Sequence, residues 1–356
     1  MKKKIAFVLS NYKDKNFSSG GIKLDYMLIK SLAEKNFKID VFTNKAEQTK
    51  KNILNKVYSV ADIKKEKNKY DLILSSKAIE DSDITYIHDH SYPFRSKALY
   101  NRTFELLYRI FNRKKYLKRI KEFEKTKKHL ANTKRVIVSS QILKSDVMNN
   151  YNVDENKIII LPPPINKYNI SKVKNELFTF GISAVGFERK GGFTLLKSIK
   201  ILKKYKKNFK VKIIYPSNNY YVKFLINLYG IKDYCEFLPI QKNMEYFYNS
   251  IDCLLMPSIL EPFGMVATEA LSVGCPVITG TNCGAADIVK NNYNGLVYKY
   301  TKHYEKNLAK QMSKIMDMQP EKLDDLRKNA ILSVQNQGEM SFIEKYIEIM
   351  QEILNL

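Results

Sequence analysis

Two glutamates lie at the centre of the part of this sequence that is best suited to chemistry. Glu261 precedes Pro262 in a short loop after the apolar stretch 251–256, and Glu269 follows eight residues later among helix-forming residues. A helix is predicted at about 264–273. If Pro262 occupies the first helical turn, where proline is favoured, Glu261 lies in the loop and Glu269 about two turns along, roughly 10 Å away. Both carboxylates would then lie near the carboxyl end of a strand, where open α/β sheets bind ligands.

This arrangement suits a ligand with hydroxyl groups at both ends and a negative charge between them. Ionised carboxylates accept charge-assisted hydrogen bonds from sugar or ribose hydroxyls. The backbone N–H groups of Phe263, Gly264 and Met265, at the start of the predicted helix, suit an anion. A sugar, a diphosphate and a ribose in that order make up a nucleotide sugar. The alternative is an ordinary helix with one surface glutamate and one capping glutamate.

Two glycine-containing loops each join a predicted strand to a predicted helix. Gly20 and Gly21 form one, where the missing side chains let the backbone approach a phosphate at a helix N-terminus. The loop 186–192 contains Arg189 and Lys190 and has the same order of strand, basic glycine loop and helix. Both loops are therefore candidate phosphate-binding sites, although a glycine pair alone is also typical of a plain turn.

Strands and helices alternate along the chain, which predicts parallel α/β domains. The length of 356 residues exceeds one typical domain, so we expect two. The proline run 162–164 cannot continue a strand or helix and predicts the boundary between domains at 1–168 and 172–338. Strands are predicted at 5–9, 38–43, 72–75, 85–88, 136–139, 158–161, 177–183, 211–215, 235–238, 251–256, 277–280 and 295–297.

Composition limits the cellular setting. No apolar run approaches the roughly 18 residues of a membrane span, and the N-terminus has too few apolar residues before Ser10 for a signal peptide. The four cysteines form no C-x-x-C pair, which predicts reduced thiols without a disulfide or a metal site. We therefore expect a cytoplasmic protein.

The net charge of +25 is concentrated in the first half of the chain, most densely over 95–135, where basic and aromatic residues alternate at near-helical spacing. One interpretation is a basic amphipathic helix that contacts the anionic inner face of the plasma membrane. The other is a core helix whose lysines are merely solvated. No nucleic-acid motif accompanies the charge, so a nucleic-acid partner is not expected.

Nearly the whole chain resembles the retaining glycosyltransferases of family 4. The segment from Glu261 to Glu269 is similar to the E-x7-E motif of that family, and Arg189-Lys190-Gly191 to its phosphate loop. Further matches are Ser19-Gly20-Gly21, Ile87-His88-Asp89-His90, and Gly274-Cys275-Pro276-Val277-Ile278 with Asn294-Gly295. The resemblance implies the GT-B fold, two Rossmann-like domains whose parallel sheets face a central cleft. It also implies that the C-terminal helix, 340–356, packs back on the first domain.

The resemblance implies roles for individual residues. Glu269 would bind the ribose hydroxyls and Glu261 the hydroxyls of the donor sugar, with the backbone of Phe263, Gly264 and Met265 near sugar and phosphate. The diphosphate would be held by Arg189, Lys190 and the loop of Gly20 and Gly21. His90 would line the acceptor side. The candidate catalytic residues are His90, Lys190 and Glu261. No metal or other cofactor is then required.

Short matches at 187–191 and 160–163 resemble the lipopolysaccharide-core glucosyltransferase branch. They favour transfer of a hexose from a nucleotide sugar, with UDP as the commonest nucleotide, to a cell-envelope glycan or lipid-linked acceptor such as lipopolysaccharide core, teichoic acid or capsule. The alternatives are a soluble glucan or glycoside synthase and a catalytically inactive partner subunit. Two positions differ from the pattern of the family: no basic residue stands at 182–185, and Asp287 follows an alanine pair where a glycine pair and glutamate are usual.

Overall fold

The computed structural model describes residues 2–9, 12–13, 20–43, 46–47, 56–76, 79, 82–99, 111–166, 168–215, 219–241 and 243–355. The chain divides into two units, the first formed by Met1–Pro164 with Glu339–Leu356 and the second by Ile165–Gly338. The predicted first domain, 1–168, thus ends a few residues too late. Ile165 already donates its backbone N–H to the carbonyl of Gln337, at 2.9 Å, which ties it to the second unit.

The first unit is built on a seven-stranded parallel sheet in the order β5-β3-β1-β6-β7-β8-β9. Its strands are β1 (Lys4–Leu9), β3 (Lys38–Thr43), β5 (Lys56–Tyr58), β6 (Leu72–Ser75), β7 (Ile84–Ile87), β8 (Arg135–Val138) and β9 (Ile158–Ile160), with a separate short pair of β2 (Tyr12–Lys13) and β4 (Ala46–Glu47). The central strands are buried on both faces, as their continuous apolar sequence predicts.

The second unit has a six-stranded parallel sheet in the order β12-β11-β10-β13-β14-β15. Its strands are β10 (Phe178–Ser183), β11 (Phe209–Ile214), β12 (Cys235–Leu238), β13 (Cys253–Met256), β14 (Val277–Gly280) and β15 (Gly295–Tyr298). The chain builds outward from β10 on one side and then from β13 on the other. The strand order therefore reverses between β10 and β13, and the loops that follow these two strands border the crevice where such sheets bind ligands.

Helices connect the strands. In chain order they are α1 (Gly20–Glu34), α2 (Ile63–Glu66), α3 (Tyr92–Leu99), α4 (Arg113–Asn132), α5 (Gln141–Tyr151), α6 (Gly192–Leu202), α7 (Tyr220–Tyr229), α8 (Met244–Asn249), α9 (Met265–Ser272), α10 (Tyr304–Met316), α11 (Pro320–Val334) and α12 (Glu339–Leu354). The final helix, α12, contributes Phe342, Tyr346 and Met350 to the same apolar core as β1 and α1 of the first unit.

The basic stretch forms α4 over much of its length. His129 and Leu130 at its C-terminal end are buried, whereas Phe111 just before it and Leu117 within it are exposed. The helix therefore has one partly buried side and one basic, solvated side. The part of the stretch at 100–110 lies outside the described residues, and within the described ranges no helix combines the length and apolar character needed to cross a membrane.

Candidate functional site

Three of the predicted site residues meet where the strand order of the second sheet reverses. Lys190 and Arg189 lie in the loop after β10, and Glu261 lies in the loop after β13. The Lys190 ammonium forms a salt bridge with Glu261 Oε2, and Arg189 Nη1 lies 3.3 Å from the same oxygen. Arg189 also donates to the carbonyl oxygen of Leu260 at 3.1 Å. The carboxylate thus holds two cations side by side.

Glycines allow these loops to come so close together. Gly191 has a φ of +77°, and a Cβ on it would lie 1.9 Å from the carbonyl oxygen of Pro257. A Cβ on Gly284 would lie 2.1 Å from the carbonyl oxygen of Pro262. Backbone hydrogen bonds of 2.9 Å, from Ile259 N to the Arg189 carbonyl and from Gly284 N to the Glu261 carbonyl, hold the loops in place. The position of Glu261 is therefore set by backbone packing from two sides.

The helix after Glu261 begins close to the predicted position. Gly264 is the N-cap of α9 with a φ of +91°, and Met265 is its first helical residue. Pro262 therefore lies outside the first helical turn, where proline would have been favoured. The reason is a short β-bridge between Glu261 and Cys283, which keeps this loop extended before the left-handed glycine starts the helix. The backbone N–H groups of the first turn of α9 are still suited to binding an anion.

Glu269 lies within α9 and is buried. Tyr248 donates its hydroxyl to Glu269 Oε2 at 2.7 Å, and the side-chain amide of Asn166 donates to Oε1 at 3.0 Å. Burial, together with this carboxylate, raises the pKa of Tyr248 well above its ordinary value and that of Tyr168 to about 12. Both phenols therefore stay protonated near neutral pH and can act as donors. Tyr248 and Asn166 were not predicted from the sequence, because their distance along the chain from Glu269 leaves no local signal.

A buried polar pair lies next to the loop that contains Glu261. The side-chain amide of Asn282 donates to the carbonyls of Ser258 and Ile259 at 2.7 and 2.8 Å. Asn282 Oδ1 and the Ser258 hydroxyl are buried and have no hydrogen-bond partner among the described residues. Since buried polar groups are normally paired, these two atoms mark a place where a polar ligand or water fits. Asn282 was not singled out from the sequence.

Phe263 is buried in the apolar core of the second unit, and the remaining predicted residues lie in the first unit. Gly20 and Gly21 open α1, and a Cβ on Gly21 would lie 3.4 Å from Cγ of His88. His88 Nε2 lies 3.3 Å from Oδ1 of Asp25, and the ring stacks on Tyr86 at a centroid distance of 4.5 Å. His88 is therefore packed and hydrogen-bonded beside the glycine loop. Ser19 lies outside the described residues.

His90 is held in a different environment. Its side chain is fully buried, and Nδ1 lies 2.9 Å from Oδ2 of Asp146. The same carboxylate accepts hydrogen bonds from the Ser91 backbone at 2.8 Å, the Ser91 hydroxyl at 2.6 Å and the Asn150 amide at 2.8 Å. Because a carboxylate only accepts, Nδ1 carries the proton in this pair, and Nε2 is the atom that neutral His90 offers as an acceptor.

Comparison with protein families gives a match in the second unit. Residues 166–333, most of this unit, match the family of glycosyl transferases group 1. A stretch of 179 residues is 27% identical to an uncharacterized glycosyltransferase of Methanocaldococcus jannaschii and covers 46% of each chain. A stretch of 210 residues is 28% identical to an uncharacterized glycosyltransferase of Haemophilus influenzae and covers 56% of this chain and 55% of that one. The chain thus spans about half the length of the curated relatives it matches.

Solved structures superpose on nearly the whole chain. WaaG, a glycosyltransferase involved in lipopolysaccharide biosynthesis, superposes with a TM-score of 0.74 at 18% identity over 97% of this chain and 99% of its own. HepE of Anabaena, in complex with UDP-glucose, gives a TM-score of 0.71 at 15% identity over 98% and 100%. The chain therefore has the GT-B fold, with a Rossmann-like parallel sheet in each unit, as the resemblance implied.

Proposed function

We propose that this chain is a retaining glycosyltransferase of family 4 that transfers a hexose from a UDP-linked sugar to a glycan or lipid-linked acceptor of the cell envelope. One observation carries the proposal. Lys190, Arg189 and Glu261 meet where the strand order reverses, in the unit that matches glycosyl transferases group 1. Glu261 lies in the loop just before the N-terminus of α9. Cations and helix N–H groups together suit a diphosphate, while the carboxylate suits sugar hydroxyls.

The transfer places its main electrostatic demand on the departing diphosphate. The bond between the sugar C1 and the diphosphate oxygen breaks, the acceptor hydroxyl oxygen bonds to C1 on the same face, and the hydroxyl proton passes to the departing oxygen. Lys190, Arg189 and the first turn of α9 stabilise the negative charge that builds on that oxygen. No metal is needed for this step, because fixed cations supply the charge. UDP-glucose is bound by HepE, which supports UDP as the nucleotide here.

In this proposal the carboxylates have separate roles. Glu261 exchanges its ion pairs for hydroxyls of the donor sugar when the diphosphate takes over Lys190 and Arg189. Glu269, oriented by Tyr248 and Asn166, binds the ribose hydroxyls. Gly20 and Gly21, at the N-terminus of α1, contact the diphosphate, and His90 lines the acceptor side.

The proposal is tested first by donor binding. UDP-glucose, UDP-galactose, UDP-N-acetylglucosamine, GDP-mannose and ADP-heptose are added to the purified protein and the unfolding temperature is measured. A ligand at 100 times its Kd stabilises by about 2.7 kcal/mol, a shift of a few degrees. We expect a shift with a UDP-sugar that is lost in Glu269→Gln and Glu261→Gln but kept in Glu236→Gln, a control at an exposed position of β12. No shift with any donor would overturn the proposal.

Retention is tested on the product. With an α-linked donor and a purified acceptor, one-dimensional proton NMR of the new anomeric signal distinguishes the two stereochemical outcomes. An α-linked product agrees with front-face transfer. A β-linked product would show inversion and would require a general base, which the proposed mechanism does not include.

A further inference from the structure

A cavity of about 300 Å³ lies within the first unit, between α3, α4 and α5. Tyr92, Phe123 and Tyr151 supply aromatic walls, and the rings of Phe123 and Tyr151 lie 5.1 Å apart. The volume falls at the lower end of the range for small-molecule sites. The described residues that line it all belong to the first unit.

Two buried polar atoms on the lining of this cavity have no hydrogen-bond partner among the described residues. One is Nε2 of His90, whose side chain is fully buried, and the other is the hydroxyl oxygen of Ser96, which is 3% exposed. The pairing of His90 Nδ1 with Asp146, and the stacking of the ring on Phe94 at 4.3 Å, fix the imidazole in place. Leaving a buried polar atom unpaired is costly, and a hydroxylated ligand that reached these two atoms would remove that cost.

Charged side chains also line the cavity. Arg95 and Arg119 lie on its lining, and Glu122 faces it from the same helix as Arg119. The Arg119 guanidinium lies 5.7 Å from the centre of the Tyr92 ring, which limits where it can move. Arg95 forms a salt bridge with Asp89 at the surface. Two guanidinium groups favour a phosphate, which arginine binds in bidentate geometry, and a carboxylate beside them favours hydroxyl groups on the same ligand.

We propose that this cavity binds a polyol or sugar phosphate, with the phosphate held by Arg95 and Arg119 and the hydroxyls by His90 and Ser96. Binding itself does not depend on the proposed function. The role of the ligand does depend on it: the phosphate ester is then the part of the acceptor that the first unit recognises. The same chemistry occurs in a free polyol phosphate and in the headgroup of a phospholipid, and these two sources are distinguished by experiment.

The test is isothermal titration calorimetry on the full chain with glycerol 3-phosphate, with dioctanoyl phosphatidylglycerol as a monomeric lipid, and with glycerol as the uncharged control. We expect a phosphate ester to bind with a Kd of about 1 mM or tighter and glycerol not to bind. Arg119→Gln should weaken binding at least about tenfold, and Ser96→Ala about threefold to tenfold. Arg113→Gln removes an equal charge from an exposed position of α4 and should change the Kd by less than about twofold.

Lys190→Gln tests whether the phosphate ester binds in the second unit instead. The Kd should be unchanged in this variant. Binding of glycerol 3-phosphate assigns the cavity to a soluble ester, and binding of the lipid alone assigns it to a headgroup. No binding of either compound, or binding that Arg119→Gln and Ser96→Ala leave unchanged, overturns the proposal. Nucleotide-sugar stabilisation of the same variants separates this outcome from failure of the proposed function, because that measurement depends on Glu269 and not on Ser96.

Discussion

At the scale of single residues, two glycines with similar φ angles, Gly186 and Gly191, allow the loop after β10 to be tested. Gly191→Ala would place a Cβ 1.9 Å from the Pro257 carbonyl oxygen, whereas a Cβ on Gly186 would have nothing within 4 Å. Both have positive φ, so each substitution costs about 1–2 kcal/mol of left-handed strain. We expect Gly186→Ala to lower the free energy of unfolding by that amount only. Gly191→Ala should lower it further and also weaken donor binding, because the loop containing Lys190 must move away.

Urea denaturation gives the two free energies, and titration with the donor gives the two affinities. Equal losses of stability in Gly186→Ala and Gly191→Ala would show that the clash with Pro257 relaxes without consequence.

A second prediction at this scale concerns the hydroxyl group of Tyr248. Tyr248 is fully buried and donates to Glu269, whereas Tyr246, on the same short helix, is 68% exposed. Tyr248→Phe leaves one oxygen of a buried carboxylate without this donor, which costs about 1–3 kcal/mol. We expect a lower unfolding temperature and weaker nucleotide binding, while Tyr246→Phe changes neither. If thermal scans show the two variants to be alike, Tyr248 does not orient Glu269.

At the scale of elements, α12 carries both buried core residues and exposed surface residues, so their contributions to stability can be compared within one helix. Tyr346 is 1% exposed in the core shared with β1, and Met340 is 75% exposed. Removing a large buried aromatic ring costs about 3–5 kcal/mol. Tyr346→Ala should therefore destabilise the first unit by that amount, and Met340→Ala should change stability by less than about 0.5 kcal/mol. Chemical denaturation of the two variants checks this, and equal midpoints would contradict the role of α12 in the core.

The basic face of α4 is the surface on which a membrane contact, one of the two interpretations of the basic stretch, depends. A variant with Lys114, Lys115, Lys118 and Lys121 changed to Gln should bind less to vesicles that contain anionic lipid, since each basic residue near such a surface contributes about 1 kcal/mol. The matched control changes four lysines of the second unit, Lys197, Lys200, Lys204 and Lys207. Cosedimentation with vesicles measures both. An equal loss in the two variants would indicate attraction by net charge alone and no specific contact by α4.

The sequence predicts some elements of the fold closely and misses others. The predicted bounds of the strands at 38–43, 72–75, 235–238 and 277–280 agree with the structure, because apolar runs there end abruptly at polar or glycine residues. Helices α7 and α8 were not predicted. Both are short and rich in aromatic residues without a clear polar face, and each begins at an asparagine cap, Asn219 or Asn243, that resembles loop sequence.

The same division holds in the candidate site. That Lys190 and Glu261 meet follows from strand order, since each follows a strand beside the reversal point. The partners of Glu269 could not be predicted, because Asn166 and Tyr248 reach it only through tertiary packing. Pro262 lies outside the first helical turn because the bridge between Glu261 and Cys283, two residues far apart in the sequence, keeps this loop extended.

At the scale of the whole molecule, tyrosines buried in both units link stability to pH. Burial raises the pKa of Tyr86 and Tyr346 in the first unit and of Tyr248 and Tyr298 in the second. Their pKa in the folded protein thus lies above the unfolded value of about 10. Each contributes stability that is fully present below pH 10 or so and is lost as the pH rises toward the folded value, because the unfolded state releases its proton first.

We therefore expect the free energy of unfolding to fall above a pH of about 10, by up to about 1.4 kcal/mol per pH unit for each such tyrosine. Lysines also lose charge in this range, so a matched pair of variants isolates the effect. The Tyr298 hydroxyl is buried with no hydrogen-bond partner among the described residues, whereas Tyr220 is 85% exposed. In urea denaturation from pH 8 to pH 11 or so, Tyr298→Phe should have a shallower loss of stability than the parent chain and Tyr220→Phe the same loss. Parallel curves for all three proteins would mean that Tyr298 ionises as readily in the folded chain as in the unfolded one.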